Sequence, residues 1–204
     1  MKAIILSAGQ GSRLGHMVDD KPKCLIDFNG RSLLDRQLDT LDACGVHEAV
    51  VVSGFHDELV EQAIAARSGG PRVRTVFNPF YKVADNTGSL FMARAELTGD
   101  CLVWNGDTLV SRELMRRVVS NDRAGICVTI DRKPTYDEDD MKVAEEGGRL
   151  KAIGKRLPLA TVNAESIGLL AFRSGGAEQF REAIERAIRG GSGRPPPFSI
   201  YGNW

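Results

Sequence analysis

A glycine-rich stretch followed by basic residues is the part of this sequence best suited to chemistry. It runs from Gly9 to Lys23, directly behind the apolar run at 3–6, and includes Arg13 and Lys21. An apolar run bounded by glycine predicts a buried parallel strand, and a glycine-rich turn at its carboxyl end directs backbone N–H groups toward an anion. The arginine and the lysines add full positive charges to these dipoles. The stretch therefore predicts a phosphate-binding loop.

Two common phosphate-binding motifs fail to describe this loop. The dinucleotide fingerprint requires a third small residue, but Leu14 stands at that position. The nucleoside-triphosphatase loop requires Gly-Lys followed by Ser or Thr, and the sequence contains no such tripeptide. What remains is Gly-x-Gly-Ser-Arg at 9–13, followed by Pro-Lys at 22–23. Leu14 thus disfavours a nicotinamide-dependent dehydrogenase.

The motif at 9–13 and 22–23 resembles the signature of the nucleotidyltransferases that join a nucleoside triphosphate to a sugar phosphate or an amino-alcohol phosphate. The resemblance extends over residues 1–172. It implies a catalytic role for Arg13, Lys23 and Asp107. It also implies that the nucleotide is bound by Leu6, Ala8, Gly9, Gly11, Ser12, Arg13, Lys23, Asn86 and Ser89.

Asp107 is the candidate metal ligand. It follows the apolar run 101–104 and the pair Asn105-Gly106, so we expect its carboxylate at the carboxyl end of a central strand. Carboxylate oxygens suit Mg²⁺ that bridges triphosphate oxygens. A single aspartate after a strand is more often a turn residue. The resemblance to the Gly-Asp metal site of the family favours the metal, and it implies Mg²⁺ as cofactor.

The segment 78–90 resembles the family segment that approaches the nucleobase and ribose at the start of a helix. Within it, the resemblance assigns these contacts to Asn86 and Ser89. An asparagine side chain offers both a donor and an acceptor, so it can match an amine beside a ring nitrogen. Asp85 or Asn86 can equally cap the helix, which is a common role for these residues.

Three short segments concern the acceptor substrate. Residues 139–143, 154–155 and 165–168 look like the branch of this family that transfers cytidylyl groups to phosphocholine or 2-aminoethylphosphonate. The resemblance therefore favours CTP as the nucleotide and implies that pyrophosphate is released. Because the first loop is shared by the whole family, a sugar-1-phosphate uridylyl-, thymidylyl- or guanylyltransferase stays open.

The acidic run at 137–140 is unusual beside a predicted triphosphate site. An ammonium group of the acceptor would neutralise it, and Tyr136 could add a cation–π contact. A solvated acidic loop is the alternative, because charge runs are commonly exposed. Lys142 and Lys155, which follow the acidic run, are candidates for binding the acceptor's phosphate. The acceptor-binding residues predicted in this way are Tyr136, Asp140, Lys142, Lys155 and Glu165.

Strand-like and helix-like segments alternate along the chain. The alternation predicts an α/β fold with a doubly wound, mostly parallel, Rossmann-like sheet, whose ligands bind where the strands end. Residues 141–153 predict an inserted β-hairpin that covers the substrate as a lid. The other predicted strands lie at 49–52, 73–77, 101–104, 126–130, 167–172 and 198–201. Helices are predicted at 33–41, 90–97 and 177–188. Two more helices are predicted to begin at Asp57, which caps the first of them, and at Ser111.

The length of 204 residues fits a single nucleotidyltransferase domain over 1–204. We divide it into a nucleotide-binding half at 1–131 and an acceptor-binding part at 132–204. Lysine and arginine number 27, as do aspartate and glutamate, so no net charge favours nucleic acid or an anionic membrane. We therefore expect small-molecule substrates only, and the sequence leaves a homo-oligomer open.

The remaining compositional features favour a cytoplasmic enzyme. No apolar run is long enough to span a membrane, and the first residues lack the pattern of a signal peptide. The four cysteines have no C-x-x-C spacing, which favours reduced thiols over a disulfide framework or a zinc site.

The sequence departs from the family at the metal site. The resemblance implies a second metal-binding aspartate on a strand near the C-terminus, but no acid follows residue 201. Three explanations stay open: the chain is incomplete at its C-terminus, a carboxylate such as Glu165 takes that place, or catalysis is impaired. In the last case the protein is a nucleotide-binding homologue with weak activity.

Overall fold

The computed structural model describes residues 1–10, 21–83, 86–122 and 124–190, together with the backbone of 199–201. The strands are β1 (Lys2–Leu6), β2 (Asp27–Phe28), β3 (Arg31–Ser32), β4 (Glu48–Ser53), β5 (Arg72–Phe77), β6 (Cys101–Asn105), β7 (Ile126–Asp131), β8 (Lys142–Glu146), β9 (Arg149–Gly154), β10 (Ala164–Phe172) and β11 (Ser199–Tyr201). The helices are α1 (Leu33–Asp42), α2 (Asp57–Ala65), α3 (Asn86–Met92), α4 (Arg112–Ser120) and α5 (Gly176–Ile188).

One mixed sheet organises the described residues, in the order β5-β4-β1-β6-β10-β7-β11-β9-β8. Its first part is parallel as predicted, because β1 pairs in parallel with β4 and β6, and β4 pairs in parallel with β5. Strand β10 runs antiparallel between β6 and β7 and separates them. Since β10 runs opposite to β6, its first residues lie at the carboxyl edge of β6, where the parallel strands end.

Helices cover both faces of the sheet, as the doubly wound prediction requires. Alternate residues of β1 face opposite sides, because side chains along a strand point alternately up and down. Ala3 and Ile5 pack with buried residues of α1, α2 and α4, whereas Ile4 and Leu6 pack with residues of α5 and the segment after α3. This two-sided burial explains why the first strand is apolar at successive positions rather than at alternate ones.

The inserted hairpin is present as β8 and β9. Gly147 and Gly148 form its turn with φ of 58° and 73°, and these positive values explain the glycine pair. The hairpin belongs to the sheet, because β8 pairs with β10 and β9 pairs with β11.

Two helix predictions are wrong in detail. The helix predicted at 90–97 is α3 over Asn86–Met92, followed by a separate 3₁₀ turn at Arg94–Glu96. Asp57, predicted as the cap of α2, is its first helical residue. The cap is His56, which has a left-handed φ of 46°. Helix boundaries are poorly specified by periodicity, because the last turn depends on tertiary contacts.

Candidate active site

The site is built where β1 and β6 end side by side. These strands are paired in parallel up to Leu6 and Asn105, so the segments that follow them leave the same edge of the sheet. From the last residue of β6 onward, residues 105–108 form a turn, which we call the Asp107 turn. Crevices at the carboxyl ends of parallel strands are the usual ligand sites of such sheets.

Gly106 allows the Asp107 turn to approach β1 closely. Its N–H donates to the Leu6 carbonyl at 2.9 Å. A Cβ at this position would lie 2.2 Å from the Ser7 Oγ and 2.7 Å from the Leu6 oxygen. Because one of these atoms is backbone, a side chain would force the two strand ends apart. Glycine therefore lets the Asp107 turn lie against the end of β1.

Lys23 and Asp107, two of the three predicted catalytic residues, meet at this edge. The Lys23 Nζ donates to the Asp107 Oδ2 at 2.7 Å, and the two side chains are 36% and 45% exposed. Lys23 begins a 3₁₀ turn over Lys23–Leu25, whose Cys24 is buried beneath it. The turn is thus held by a buried side chain, while the ion pair itself is accessible to solvent.

The rest of the predicted phosphate loop is described only in part. Gly11, Ser12 and Arg13 lie outside the described residues. Leu6 and Ala8 are buried, and the Ala8 carbonyl accepts from the Phe55 N–H at 3.1 Å. Gly9 has open space around the position of a Cβ.

Asn86 and Ser89, predicted to contact the nucleoside, have different surroundings. The Asn86 Nδ2 donates to the Asn105 Oδ1 at 3.2 Å, on the exposed side of the crevice. Ser89 is 5% exposed, and its Oγ accepts from the buried Asn78 side chain at 3.0 Å. Ser89 therefore holds the first turn of α3 in place, and Asn86 is the exposed one of the two.

Asn105 is a site residue that the sequence analysis missed. It ends β6, and its side chain lies against Gly168 so closely that a Cβ there would be 2.2 Å from Nδ2. Gly168 also has a φ of +77°, which disfavours other residues. The available signal was a polar residue at the end of an otherwise apolar strand.

The acidic residues predicted for the acceptor surround a lysine of the chain itself. The Lys133 Nζ lies 2.7 Å from the Asp140 Oδ2 and 3.1 Å from the Glu165 Oε2. It also lies 5.9 Å from the centre of the Tyr136 ring. We call these four residues the Lys133 cluster. The cation between these carboxylates is therefore Lys133 of the chain itself, which the sequence analysis did not consider, and their contact with an acceptor's ammonium stays a prediction.

The charges of the Lys133 cluster are unequally stabilised. The hydrogen bond from Lys133, followed by that from the Asp137 N–H, lowers the pKa of Asp140 to about 2. Burial raises the pKa of Glu165, and the neighbouring Asp140 acts in the same direction. The same carboxylates raise the pKa of Lys133. The pKa values of the two carboxyls are therefore shifted in opposite directions.

The two predicted phosphate-binding lysines differ. Lys142 is 4% exposed, and its Nζ donates to the backbone carbonyls of Asp137, of Lys155 at 3.0 Å and of Glu138 at 3.4 Å. An ammonium has only three hydrogens, so these contacts use all of them. This contradicts the predicted role for Lys142, which instead ties the acidic loop to Lys155, the residue directly after β9. Lys155 remains on the surface, 3.5 Å from the Asp139 carboxylate.

A metal ion would have Asp107 as its carboxylate here. Among the described residues no group of three or more acidic, histidine or cysteine side chains is placed to hold a metal. Mg²⁺ commonly binds proteins through one or two carboxylates plus substrate phosphates and keeps several waters. A single half-exposed carboxylate fits a metal that arrives with the nucleotide, but it does not form a cage for a permanently bound ion.

Comparison with known proteins identifies the family. Residues 3–185 match the model of the MobA-like NTP transferase domain. The chain belongs to this family. The match includes the first loop, the Asp107 turn and the Lys133 cluster, and it ends within α5. In the described part of this NTP transferase domain, no helix is long and apolar enough to cross a membrane.

Individual relatives agree with this assignment. The chain is 32% identical to the CMP-5'-(3-aminopropyl)phosphonate synthase of Streptomyces rubellomurinus over 124 residues, which are 61% of this chain and 20% of that protein. It is 31% identical to the choline-phosphate cytidylyltransferase of Streptococcus pneumoniae over 116 residues, 57% of this chain and 48% of that one. The matches thus span about a fifth and about half of these relatives.

Solved structures share the fold. The CTP:phosphocholine cytidylyltransferase structure from Streptococcus pneumoniae aligns with a TM-score of 0.75 at 21% identity, covering 100% of this chain and 90% of that one. At this identity the likeness concerns the architecture alone.

Proposed function

We propose that this chain transfers a cytidylyl group from CTP to the phosphate or phosphonate oxygen of a small acceptor and releases pyrophosphate. The observation that carries the proposal is the partly exposed Lys23–Asp107 ion pair of 2.7 Å at the carboxyl edge of the parallel strands. A lysine suits a phosphate, and an aspartate suits a metal bound to that phosphate. An exposed lysine beside an exposed aspartate therefore suits a nucleoside triphosphate that carries Mg²⁺.

The preference for cytidine rests on the relatives and on two amide side chains. The relatives with which the chain shares 32% and 31% identity are named for CMP and for cytidylyl transfer. Asn86 and Asn105 contact one another at the crevice. Together they offer donors and acceptors that can match the exocyclic amine and the ring nitrogen of cytosine.

The reaction is a displacement at phosphorus. The acceptor's anionic oxygen attacks the α-phosphorus, a new P–O bond forms, and the bond to pyrophosphate breaks with its electron pair. Because the nucleophile is already an anion, no catalytic base is needed. The protein must align two anions and neutralise the charge that spreads over the phosphoryl oxygens.

Lys23, Arg13 and Asp107 divide this work. We propose that the Lys23 ammonium leaves Asp107 and binds the phosphates of the incoming nucleotide as a point charge. Arg13 suits bidentate binding of a phosphate group. Asp107, released from Lys23, would hold Mg²⁺, which supplies divalent charge to the phosphates when bound. Before the nucleotide binds, Lys23 thus balances the charge of Asp107, and it leaves the carboxylate when the anion arrives.

For the acceptor, the Lys133 cluster favours a cation. An ammonium already lies between Asp140 and Glu165 with Tyr136 beside it, so this environment suits the ammonium of an aminoalkyl phosphonate or of phosphocholine. Binding in this place requires that Lys133 swing away, which its 30% exposed side chain permits. Lys155 remains a candidate for the acceptor's anionic end.

The same observation supports a second candidate function. If Lys133 stays between the two carboxylates, it already takes the place of the cation, and a second ammonium would have to displace it. The acceptor would then be uncharged at its distal end, as a hexose 1-phosphate is. This makes the protein a sugar-1-phosphate nucleotidyltransferase, with the same chemistry at the α-phosphorus.

Pyrophosphate release across substrate pairs tests both functions. The four common nucleoside triphosphates would be combined with phosphocholine, 2-aminoethylphosphonate and several hexose 1-phosphates at saturating Mg²⁺. We expect the highest rate with CTP and a cationic acceptor. A faster hexose phosphate would support the second function. Nucleotide binding without pyrophosphate release from any pair would contradict both and indicate a binding protein.

A further inference from the structure

We infer that Gln37, on α1, is a positioning residue that holds the Asp107 turn in its working geometry. Its kinetic consequences rest on the nucleotidyl transfer proposed above, whereas its structural consequences do not. Gln37 lies outside the motifs that carry the family resemblance. It is nevertheless the residue of α1 that is tied directly to the turn carrying the proposed metal ligand.

Gln37 forms hydrogen bonds to the backbone on both sides of Asp107. The Nε2 donates to the carbonyl of Asn105 and to the carbonyl of Thr108, each at 2.8 Å. These carbonyls lie two residues before and one residue after Asp107. Both partners are acceptors, so the NH₂ end of the side chain must face them, and both of its hydrogens are used.

The burial of Gln37 indicates that these contacts are the reason for the residue. It is 0% exposed, and the other buried residues of α1 are leucines. Its own Oε1 is buried and has no hydrogen-bond partner among the described residues. A buried polar atom without a partner is unfavourable, and a leucine or methionine here would avoid it. The gain from the amide therefore lies in what Nε2 does for the turn.

Two further hydrogen bonds hold the turn from other sides. The Gly106 N–H donates to the Leu6 carbonyl of β1 at 2.9 Å. The Thr108 Oγ1 donates to the Ile167 carbonyl of β10 at 2.9 Å. With Gln37 as the contact from α1, the turn is fixed from three elements. The Asp107 side chain itself is 45% exposed, so its position depends on this backbone support.

Gln37→Met is the variant that isolates this role. Methionine has a similar volume and no donor, so it keeps the packing and removes both hydrogen bonds. We expect faster amide hydrogen exchange at residues 106–108. We also expect kcat to fall about tenfold or more, because displacement of a reacting group by about 1 Å can cost this much, while KM for the nucleotide changes little. The Mg²⁺ concentration for half-maximal nucleotide binding should rise.

Leu41→Ala is the matched control. Leu41 is a buried residue of the same helix whose side chain cannot form a hydrogen bond. Its truncation leaves a cavity and lowers Tm. If Gln37 only packs, both variants should lose stability alike and show no other difference. If Gln37 positions the turn, amide exchange at 106–108 and the Mg²⁺ requirement should change in Gln37→Met. In Leu41→Ala both should stay near the values of the unsubstituted chain.

The exchange measurement separates this inference from the proposed function. It is made on the protein without substrates, so it holds even if no substrate pair releases pyrophosphate. Unchanged exchange at 106–108 in Gln37→Met would overturn the inference, and so would an equal increase in Leu41→Ala. Absence of pyrophosphate release from the unsubstituted chain would instead count against the nucleotidyl transfer.

Discussion

Lys23 and Asp107 are 84 positions apart in the chain, yet their charged atoms are 2.7 Å apart at the edge of the sheet. The parallel pairing of β1 with β6 brings the two loops together, because both strands end at this edge. An exposed pair of this kind contributes little to stability, about 0–1 kcal/mol. In the proposed function, each partner leaves the other when a phosphate and a metal arrive.

The first prediction concerns this pair. Lys23→Ala should lower kcat about a hundredfold or more, since it removes a fixed charge at the phosphoryl transition state. Asp107→Asn keeps the shape of the side chain but removes its charge, and it should abolish turnover even at high Mg²⁺. Pyrophosphate release measures both effects, and Tm should change little.

Lys151→Ala, which breaks the exposed 3.0 Å pair with Glu146 on the hairpin, is the control. Near-normal turnover of Lys23→Ala at saturating substrates would remove Lys23 from the site.

The second prediction decides between the two acceptor classes. Lys133→Met removes the internal ammonium from between Asp140 and Glu165. If the acceptor's ammonium uses this place, KM for the cationic acceptor should fall, because a competitor is gone, while KM for CTP stays the same. Lys151→Met tests for a general effect of lost charge. An unchanged or raised KM for the cationic acceptor, together with impaired use of a hexose 1-phosphate, would favour the neutral acceptor.

The third prediction concerns Gly106. Gly106→Ala places a Cβ 2.7 Å from the Leu6 carbonyl oxygen, so the Asp107 turn must shift away from β1. We expect a loss of stability of about 1–3 kcal/mol, typical of overpacking, and a larger loss of activity. Thermal unfolding measures the first effect. Gly154→Ala is the stability control, because no atom lies within 4 Å of a Cβ there. Equal stability of the two variants would show that the close approach is unimportant.

The fourth prediction concerns the pH dependence of stability. Hydrogen bonds from Arg74, followed by that from Lys2, lower the pKa of Glu96 to about 2, and these contacts join β5 and β1 to the 3₁₀ turn after α3. A carboxyl with a lowered pKa in the folded state stabilises the protein above its unfolded pKa of about 4.3. The contribution disappears as the pH falls toward 2. The Tm difference between the unsubstituted chain and Glu96→Gln should therefore be constant near neutrality and shrink below about pH 4.

Glu48→Gln is the control for this measurement. Glu48 is 3.8 Å from the same arginine, Arg74, and it is more exposed than Glu96. Its substitution should change Tm less at neutral pH. A Tm difference for Glu96→Gln that grows as the pH falls would contradict the assigned cause.

The sequence by itself determined the order of the elements and the family. Apolar runs followed by glycine or by polar residues marked the ends of β1 and β6, because a buried strand must be apolar and its exit must be able to turn. The loop at 9–23 and the aspartate at 107 carried the resemblance, and the family model confirms it. The glycine pair at 147–148 located the hairpin turn, since positive φ is a local property of the chain.

Only the tertiary structure decided what the charged side chains contact. Lys142 and Lys133 are both lysines near the acidic run, and nothing in their spacing distinguishes them. Strand pairing buries Lys142 among backbone carbonyls, whereas Lys133 meets Asp140 and Glu165, which are brought together from different segments. Gln37 is polar on a face of leucines, and its partners lie 68 and 71 positions away. Such contacts depend on how strands and helices pack, which local spacing along the chain does not contain.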